Sequence, residues 1–412
     1  MSLLADMLHT MIERRPRLRG QPPQAGADMP DLLAELVDAA GEVSGLRVAR
    51  ALLDRYDGLD DDGRLGLFRA LAAMDIDAAR VREALAAYGT APSRATYAAF
   101  AAAAEPPRQE AIRRLNAVPG ATAELVAMRA DLLRLSDGDP ALEALDLDFR
   151  HLFASWFNRG FLVLRPVNWD TPARLLEKII RYEAVHDIAG WDDLRRRLAP
   201  ADRRCFAFFH PAMPDEPLIF VEVALTRGVP GSIQTLLAED RAPLDASEAD
   251  TAVFYSISNC QSGLAGISFG NSLIKTVAAD LGQALSGLRT FVTLSPIPGL
   301  AQWAEEEGEA LPADPDDLRR LAARYLLTAR AGDGPRDPVA RFHLGNGALV
   351  HQVHAGADVS AKGMRQSGGA MVNYLYDLDR VAQNHERFAA SGQIAAAPQV
   401  RGLLPGRTPS AA

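Results

Sequence analysis

Residues 254–299 open with Phe254-Tyr255-Ser256-Ile257-Ser258, an aromatic and β-branched run that reads as a strand. A loop containing Gly263, Gly266 and Gly270 follows. From Asn271, a capping residue, Leu273, Ile274, Val277, Ala278, Leu281 and Leu285 fall on one stripe at helical spacing. Phe291-Val292-Thr293-Leu294 is the next strand, and Ser295-Pro296-Ile297-Pro298-Gly299 breaks it. Strand, glycine loop, helix and strand together form an anion-binding arrangement. Glycines let backbone N–H groups approach a ligand, and a helix start adds unpaired N–H groups with partial positive charge. The glycine spacing is neither that of a dinucleotide fingerprint nor that of a P-loop. A turn that simply needs glycine explains the pattern as well as a phosphate site does.

Working outward, the whole chain bounds the choices. Its 412 residues suit two domains better than one. A net charge of −9 without a basic stripe argues against nucleic acid as a partner. Two cysteines, Cys205 and Cys260, rule out a disulfide framework and fit a reducing, cytoplasmic setting as small buried fillers. No apolar run approaches the roughly 20 residues of a membrane span, so no membrane partner is expected. Residues 1–18 read as an amphipathic helix rather than a signal peptide.

Upstream of the opening stretch, residues 1–148 form an all-α domain. Helical spacing recurs over 30–39, 47–56, 62–74, 77–88, 93–104, 107–115 and 121–135, with no constellation of chemistry-bearing side chains. Ser136-Asp137-Gly138-Asp139-Pro140 is the strongest boundary signal. Residues 149–412 mix strands and helices, an α+β domain. A helix covers 148–157, and a second covers 171–183 with a Thr171 cap. Strands over 204–209 and 218–225 form a hairpin through a Pro-Asp turn. Residues 348–354 alternate as a strand, and the tail from 391 is frayed.

Several ordered motifs resemble the malonyl-CoA decarboxylases. They include Ser155-Trp156-Phe157, Glu183-Ala184-Val185-His186, Phe254-Tyr255-Ser256-Ile257-Ser258 and Gly263-Leu264-Ala265-Gly266-Ile267. Leu294-Ser295-Pro296-Ile297-Pro298-Gly299, Phe342-His343-Leu344, Asn346-Gly347-Ala348, Ala357-Asp358-Val359-Ser360 and Asn373-Tyr374 complete the set. The resemblance covers much of the C-terminal two-thirds. It implies an acetyltransferase-like mixed-sheet catalytic domain after a helical bundle that mediates homo-oligomerisation, as a dimer or tetramer. It implies that Ala265, Gly266, Ile267, Ser268, Phe269, Gly270 and Asn271 bind CoA, and that Ser295 and His343 are the catalytic pair. The chain departs from the family in having Ser268 where an acidic residue is usual.

The implied reaction converts malonyl-CoA to acetyl-CoA and CO2. It demands a stabilised enolate, exclusion of water and a proton for the α-carbon, with no metal, biotin or other cofactor. His343 suits proton handling, although a histidine packed beside Phe342 explains the local sequence too. Ser295 is equally readable as a plain Ser-Pro turn. Ser256 and Tyr374 are supporting candidates for orienting the malonyl group, with packing roles as an alternative. His351 and His354 face opposite sides of a strand and make no metal pair; His186 reads as structural. Two other functions stay open: a CoA-dependent acyltransferase, and a non-catalytic acyl-CoA sensor.

Overall fold

The computed structural model describes residues 29–39, 41–267 and 273–404. It divides into two compact units. One is helical and runs to Leu162, with His210–Glu216 and the stretch 261–268; the other holds the rest.

The helical unit contains α1 (Met29–Asp38), α2 (Glu42–Asp57), α3 (Asp61–Ala73), α4 (Ala78–Thr90), α5 (Arg94–Ala104), α6 (Pro107–Asn116), α7 (Ala121–Leu135) and α8 (Pro140–Trp156). Leu36, Leu52, Leu71, Leu115, Leu125, Leu132, Phe149 and Phe153 are its buried stripe. The starts follow from side chains that take up orphan N–H groups: Asp60, Asp77, Ser93 and Asp139 each accept from the first turn of the following helix. Asp139 and Pro140 therefore start a helix eight residues before the expected 148. α8 packs on α3 and α6, so its early turns complete the bundle core.

The second unit is built on an eight-stranded sheet, in the order β1 (Val163–Val167), β2 (Arg203–His210), β3 (Met213–Thr226), β4 (Thr251–Asn259), β5 (Thr290–Thr293), β10 (Met371–Leu375), β6 (Ser295–Pro296). β9 (Leu349–His354) pairs with β10, and β7 (Arg330–Ala331) with β8 (Gly334–Pro335) form a separate ribbon. The helices are α9 (Ala173–Tyr182), α10 (Trp191–Leu198), α11 (Ile233–Leu236), α12 (Leu273–Ala284), α13 (Leu300–Glu306), α14 (Pro315–Thr328), α15 (Pro338–Gly345), α16 (Ala361–Ser367), α17 (Val381–Ser391) and α18 (Pro398–Arg401). The expected order, helical region first and mixed-sheet region second, is observed.

β4 and β5 pair in parallel, from Thr251↔Thr290 to Phe254↔Thr293. Such pairs need a crossover, and α12 supplies it. Its buried residues Leu273, Ile274, Val277, Ala278 and Leu281 are the expected stripe. Thr251 to Ser256 of β4 are all buried, so the strand is covered on both faces. Three local expectations change. The β2–β3 turn is Pro211-Ala212, because Pro214 and Asp215 continue β3. Thr171 accepts from the Asn168 N–H, and Pro172 stands at the N-cap of α9. The tail to 404 is ordered by the Val350↔Ala396 bridge and α18. The expected Asn271 cap lies outside the described residues.

Candidate active site

Proline decides where Ser295 sits. β5 runs into Ser295, Pro296 ends the pairing, and β10 closes over both as Val372↔Ser295 and Met371↔Pro296. His343 comes from α15, which Pro338 starts and Asp337 caps through the Ala340 N–H at 2.8 Å. Both side chains are buried. His343 Nε2 lies 3.2 Å from Ser295 Oγ, and Nδ1 lies 2.8 Å from the Tyr376 hydroxyl. Ser295 Oγ donates to Thr293 Oγ1 at 2.8 Å, and the Tyr374 N–H donates to the same oxygen at 3.1 Å. The Tyr374 ring stacks on the imidazole with centroids 4.6 Å apart and planes 24° apart.

With Ser295 Oγ donating to Thr293, one proton arrangement gives each of these donors an acceptor. Nε2–H donates to Ser295 Oγ, and Nδ1 accepts from Tyr376. Burial pushes the His343 imidazolium down to about 3, so the resting ring is neutral. Burial likewise pushes the Tyr374 and Tyr376 hydroxyls well above their ordinary range. The hydrogen-bonded chain Thr293–Ser295–His343–Tyr376 is thus uncharged at rest.

Ser295 and His343 line a pocket of about 240 Å³, with Val185, Ile257, Asn259, Val339 and Phe342 among its walls. A larger cavity, about 830 Å³, opens beside the second half of α12 and contains Arg289, His351, Asp377 and Asp379. Its lining includes His351, Thr290 and Tyr376, but the hydroxyl and imidazole that stand in hydrogen-bond contact within one pocket are Ser295 and His343, so chemistry, not size, points to the smaller pocket.

The other expected residues are placed differently. Ser256 Oγ lies 2.7 Å from both carboxylate oxygens of Glu183, whose Oε1 also accepts the Val185 and His186 N–H groups. Ser256 therefore braces the segment bearing Val185. The Tyr374 hydroxyl is buried and finds no hydrogen-bond partner among the described residues. Cys205 and Cys260 are buried and form no disulfide. His186 Nε2 is buried and finds no hydrogen-bond partner among the described residues. His354 binds Asn373 Oδ1 at 2.5 Å. Among the described residues no group of three or more His, Cys, Asp or Glu side chains could hold a metal. No described helix is long and apolar enough to cross a membrane.

Ala265, Gly266 and Ile267 follow a single 3₁₀ turn, Ser262–Leu264. Buried Arg129, tied to Asp146 at 2.7 Å, donates to the carbonyls of Gly263 and Ala265 at 2.7 and 2.9 Å. Gly263 must be glycine, because a Cβ there would run into the Val126 carbonyl. The Ala265 and Ile267 N–H groups donate within the loop, to Ser262 and Leu264. Ser268, Phe269, Gly270 and Asn271 fall outside the described residues.

Sequence reasoning missed Tyr376 and Thr293. The available signal was strand period: Tyr376 stands two residues from Tyr374, and Thr293 two from Ser295, so each pair shares a face.

The family description "Malonyl-CoA decarboxylase C-terminal domain" matches residues 160–315 and 315–412, and "Malonyl-CoA decarboxylase N-terminal domain" matches 74–157. The mitochondrial malonyl-CoA decarboxylase of Anser anser anser is 34% identical over 348 residues, 71% of this chain and 69% of that protein. The mitochondrial enzyme of Mus musculus is 33% identical over 344 residues, 70% of this chain and 69% of that protein. The malonyl-CoA decarboxylase structure from Rhodopseudomonas palustris shares 48% identity at a TM-score of 0.86, covering 92% of this chain and 100% of that one. That from Cupriavidus metallidurans shares 37% at 0.73, covering 91% and 98%. The match extends over both the helical and the mixed-sheet regions, and the chain belongs to the malonyl-CoA decarboxylase family.

Proposed function

We propose that the protein converts malonyl-CoA to acetyl-CoA and CO2 with Ser295 and His343 as its catalytic pair. The observation that carries this reading is the 3.2 Å Ser295–His343 contact inside an otherwise largely apolar pocket. The bond between the α-carbon and the carboxylate carbon breaks. Its electron pair forms the enolate of the thioester, CO2 leaves, and one proton is added to the α-carbon. A thioester enolate is basic enough to take that proton from a neutral hydroxyl or imidazole N–H, so no imidazolium is required. Tyr376, donating to Nδ1, keeps the proton of the ring on Nε2, facing Ser295. After the product departs, solvent restores the donated proton. No step calls for a metal or biotin.

We assign CoA binding to the loop 265–271, and self-association to the helical unit. Leu85 and Tyr97, half or more exposed on α4 and α5, support the second assignment. Pure protein incubated with malonyl-CoA should yield equal amounts of CO2 and acetyl-CoA, with or without a chelator. Absence of both products, or their loss on chelation, would overturn the reading. Light scattering should find the intact chain oligomeric and a Leu85→Glu/Tyr97→Glu variant smaller. An intact chain that runs as a monomer would reject self-association.

A further inference from the structure

Among the described residues, the lining of the pocket that holds Ser295 and His343 includes no charged side chain. Val185, Ile257, Pro338, Val339 and Phe342 make its apolar wall, and its polar side chains near the reacting pair, Ser295, His343 and Asn259, are uncharged. None of the residues 268–272 is cationic either. Arg341, two residues from His343, donates to the Pro335 carbonyl, and the Lys362 ammonium is taken up by the Ala184 and Val185 carbonyls.

We infer that this pocket favours neutral acyl groups over a carboxylate in the ground state, and that the loss of CO2 is driven partly by moving the malonyl carboxylate out of water without a counter-ion. The inference rests on the proposed decarboxylase reading and specifies how the same site treats charge. A carboxylate desolvated without a cation is poorly stabilised. As the carbon–carbon bond breaks, the charge leaves the carboxylate for the thioester oxygen, and the departing CO2 is neutral. The unfavourable environment therefore acts on the substrate and fades towards the transition state. Acetyl-CoA, the product, then competes well for the site.

The test uses the intact chain with two inert thioether analogues of malonyl-CoA: 2-carboxyethyl-CoA and its neutral amide, 2-carbamoylethyl-CoA. The two differ in charge and scarcely in shape. The amide should bind at least about tenfold more tightly, since one opposite charge nearby is worth about one to three factors of ten to an ionised group. Phe342 is 39% exposed, so a lysine there is tolerable to the fold. Phe342→Lys should reverse the preference and lower both KM and kcat, whereas Phe342→Gln should keep the preference for the amide. If the unmodified protein binds the carboxylate analogue as tightly as the amide, the inference fails. It also fails if Phe342→Lys raises kcat. Calorimetry measures both affinities without turnover. Absence of decarboxylation would thus reject the proposed function, while the affinities alone judge the pocket.

Discussion

The side chains around Arg197 and those around His343 lie equally deep in the sheet unit, yet the first cluster is full of charge and the second holds none. Arg197 donates to the carbonyls of His186 and Asp187 at 2.8 and 2.9 Å, to Asp193 at 3.1 and 3.2 Å, and to Glu222 at 3.3 Å. A guanidinium fork has five fixed donors and no acceptor, and here the donors meet carbonyls and carboxylates. Apart from Glu222 Oε1, which finds no partner among the described residues, the network is fixed at one rigid geometry, which suits a support. Burial, followed by the neighbouring Glu183, pushes the fully buried Glu222 carboxyl up to about 8. His343 instead sits among hydroxyls, which donate or accept by rotation, and its own proton can leave and return. Depth alone does not mark a polar cluster as catalytic; the proposed site differs in having adjustable donors that face a pocket.

The strongest test removes the adjustable side. His343→Asn should lower kcat by roughly 10²- to 10⁴-fold, the usual yield of acid–base catalysis, with a much smaller change in KM. Ser295→Ala should lose a similar factor. If the two act as one unit, as proposed, the double variant should be scarcely slower than either single one. Losses that multiply would separate them, and a fully active His343→Asn would remove His343 from the chemistry.

Removing the rigid side should act on stability instead. Arg197→Met leaves the His186 and Asp187 carbonyls and the carboxyl groups of Asp193 and Glu222 without their shared donor, so urea unfolding should show a loss of about 1–3 kcal/mol. The kcat per folded molecule should stay close to that of the parent. A stable variant with reduced kcat would mean that the Arg197 network belongs to the active site.

The two clusters should also answer pH in opposite directions. His343 has an ordinary value of 6.5 and a folded value of about 3. The unfolded chain therefore binds a proton that the folded one refuses, and stability falls as pH drops from 6.5 towards 3. Glu222 has an ordinary value of 4.5 and a folded value of about 8. The folded chain holds the extra proton, so stability falls as pH rises from 4.5 through 8. Each slope is at most about 1.4 kcal/mol per pH unit. Stability measured against pH should lose its acid limb in His343→Asn and its alkaline limb in Glu222→Gln. Unchanged limbs would mean that neither side chain is held in the stated form.

Tyr376→Phe should have the smallest effect. It deletes one hydrogen bond to Nδ1, worth about 0.5–1.5 kcal/mol, or roughly two- to tenfold in kcat. KM should barely move. A loss as large as that of His343→Asn would give Tyr376 a direct part in proton transfer.

By itself the sequence determined the elements and their order. Apolar residues at 3.6-residue spacing set the helices, aromatic and β-branched runs set β4 and β5, and proline broke the chain after Ser295. Ser295 and His343 were legible through the family motifs around them, since each also has an ordinary local reading. Tertiary structure decided what local sequence could not announce: β10 returns beside β5 and β6, delivering Tyr374 and Tyr376 to the imidazole. It also turned Ser256 to Glu183, tied the start of the glycine loop to Arg129, and gave the pocket a lining that is uncharged among the described residues. The physical reason is range. Helical and strand periodicity is written in neighbouring residues. Hydrogen-bond partners, burial and the resulting proton affinities come from side chains tens to more than a hundred positions apart, which meet only when the sheet is assembled.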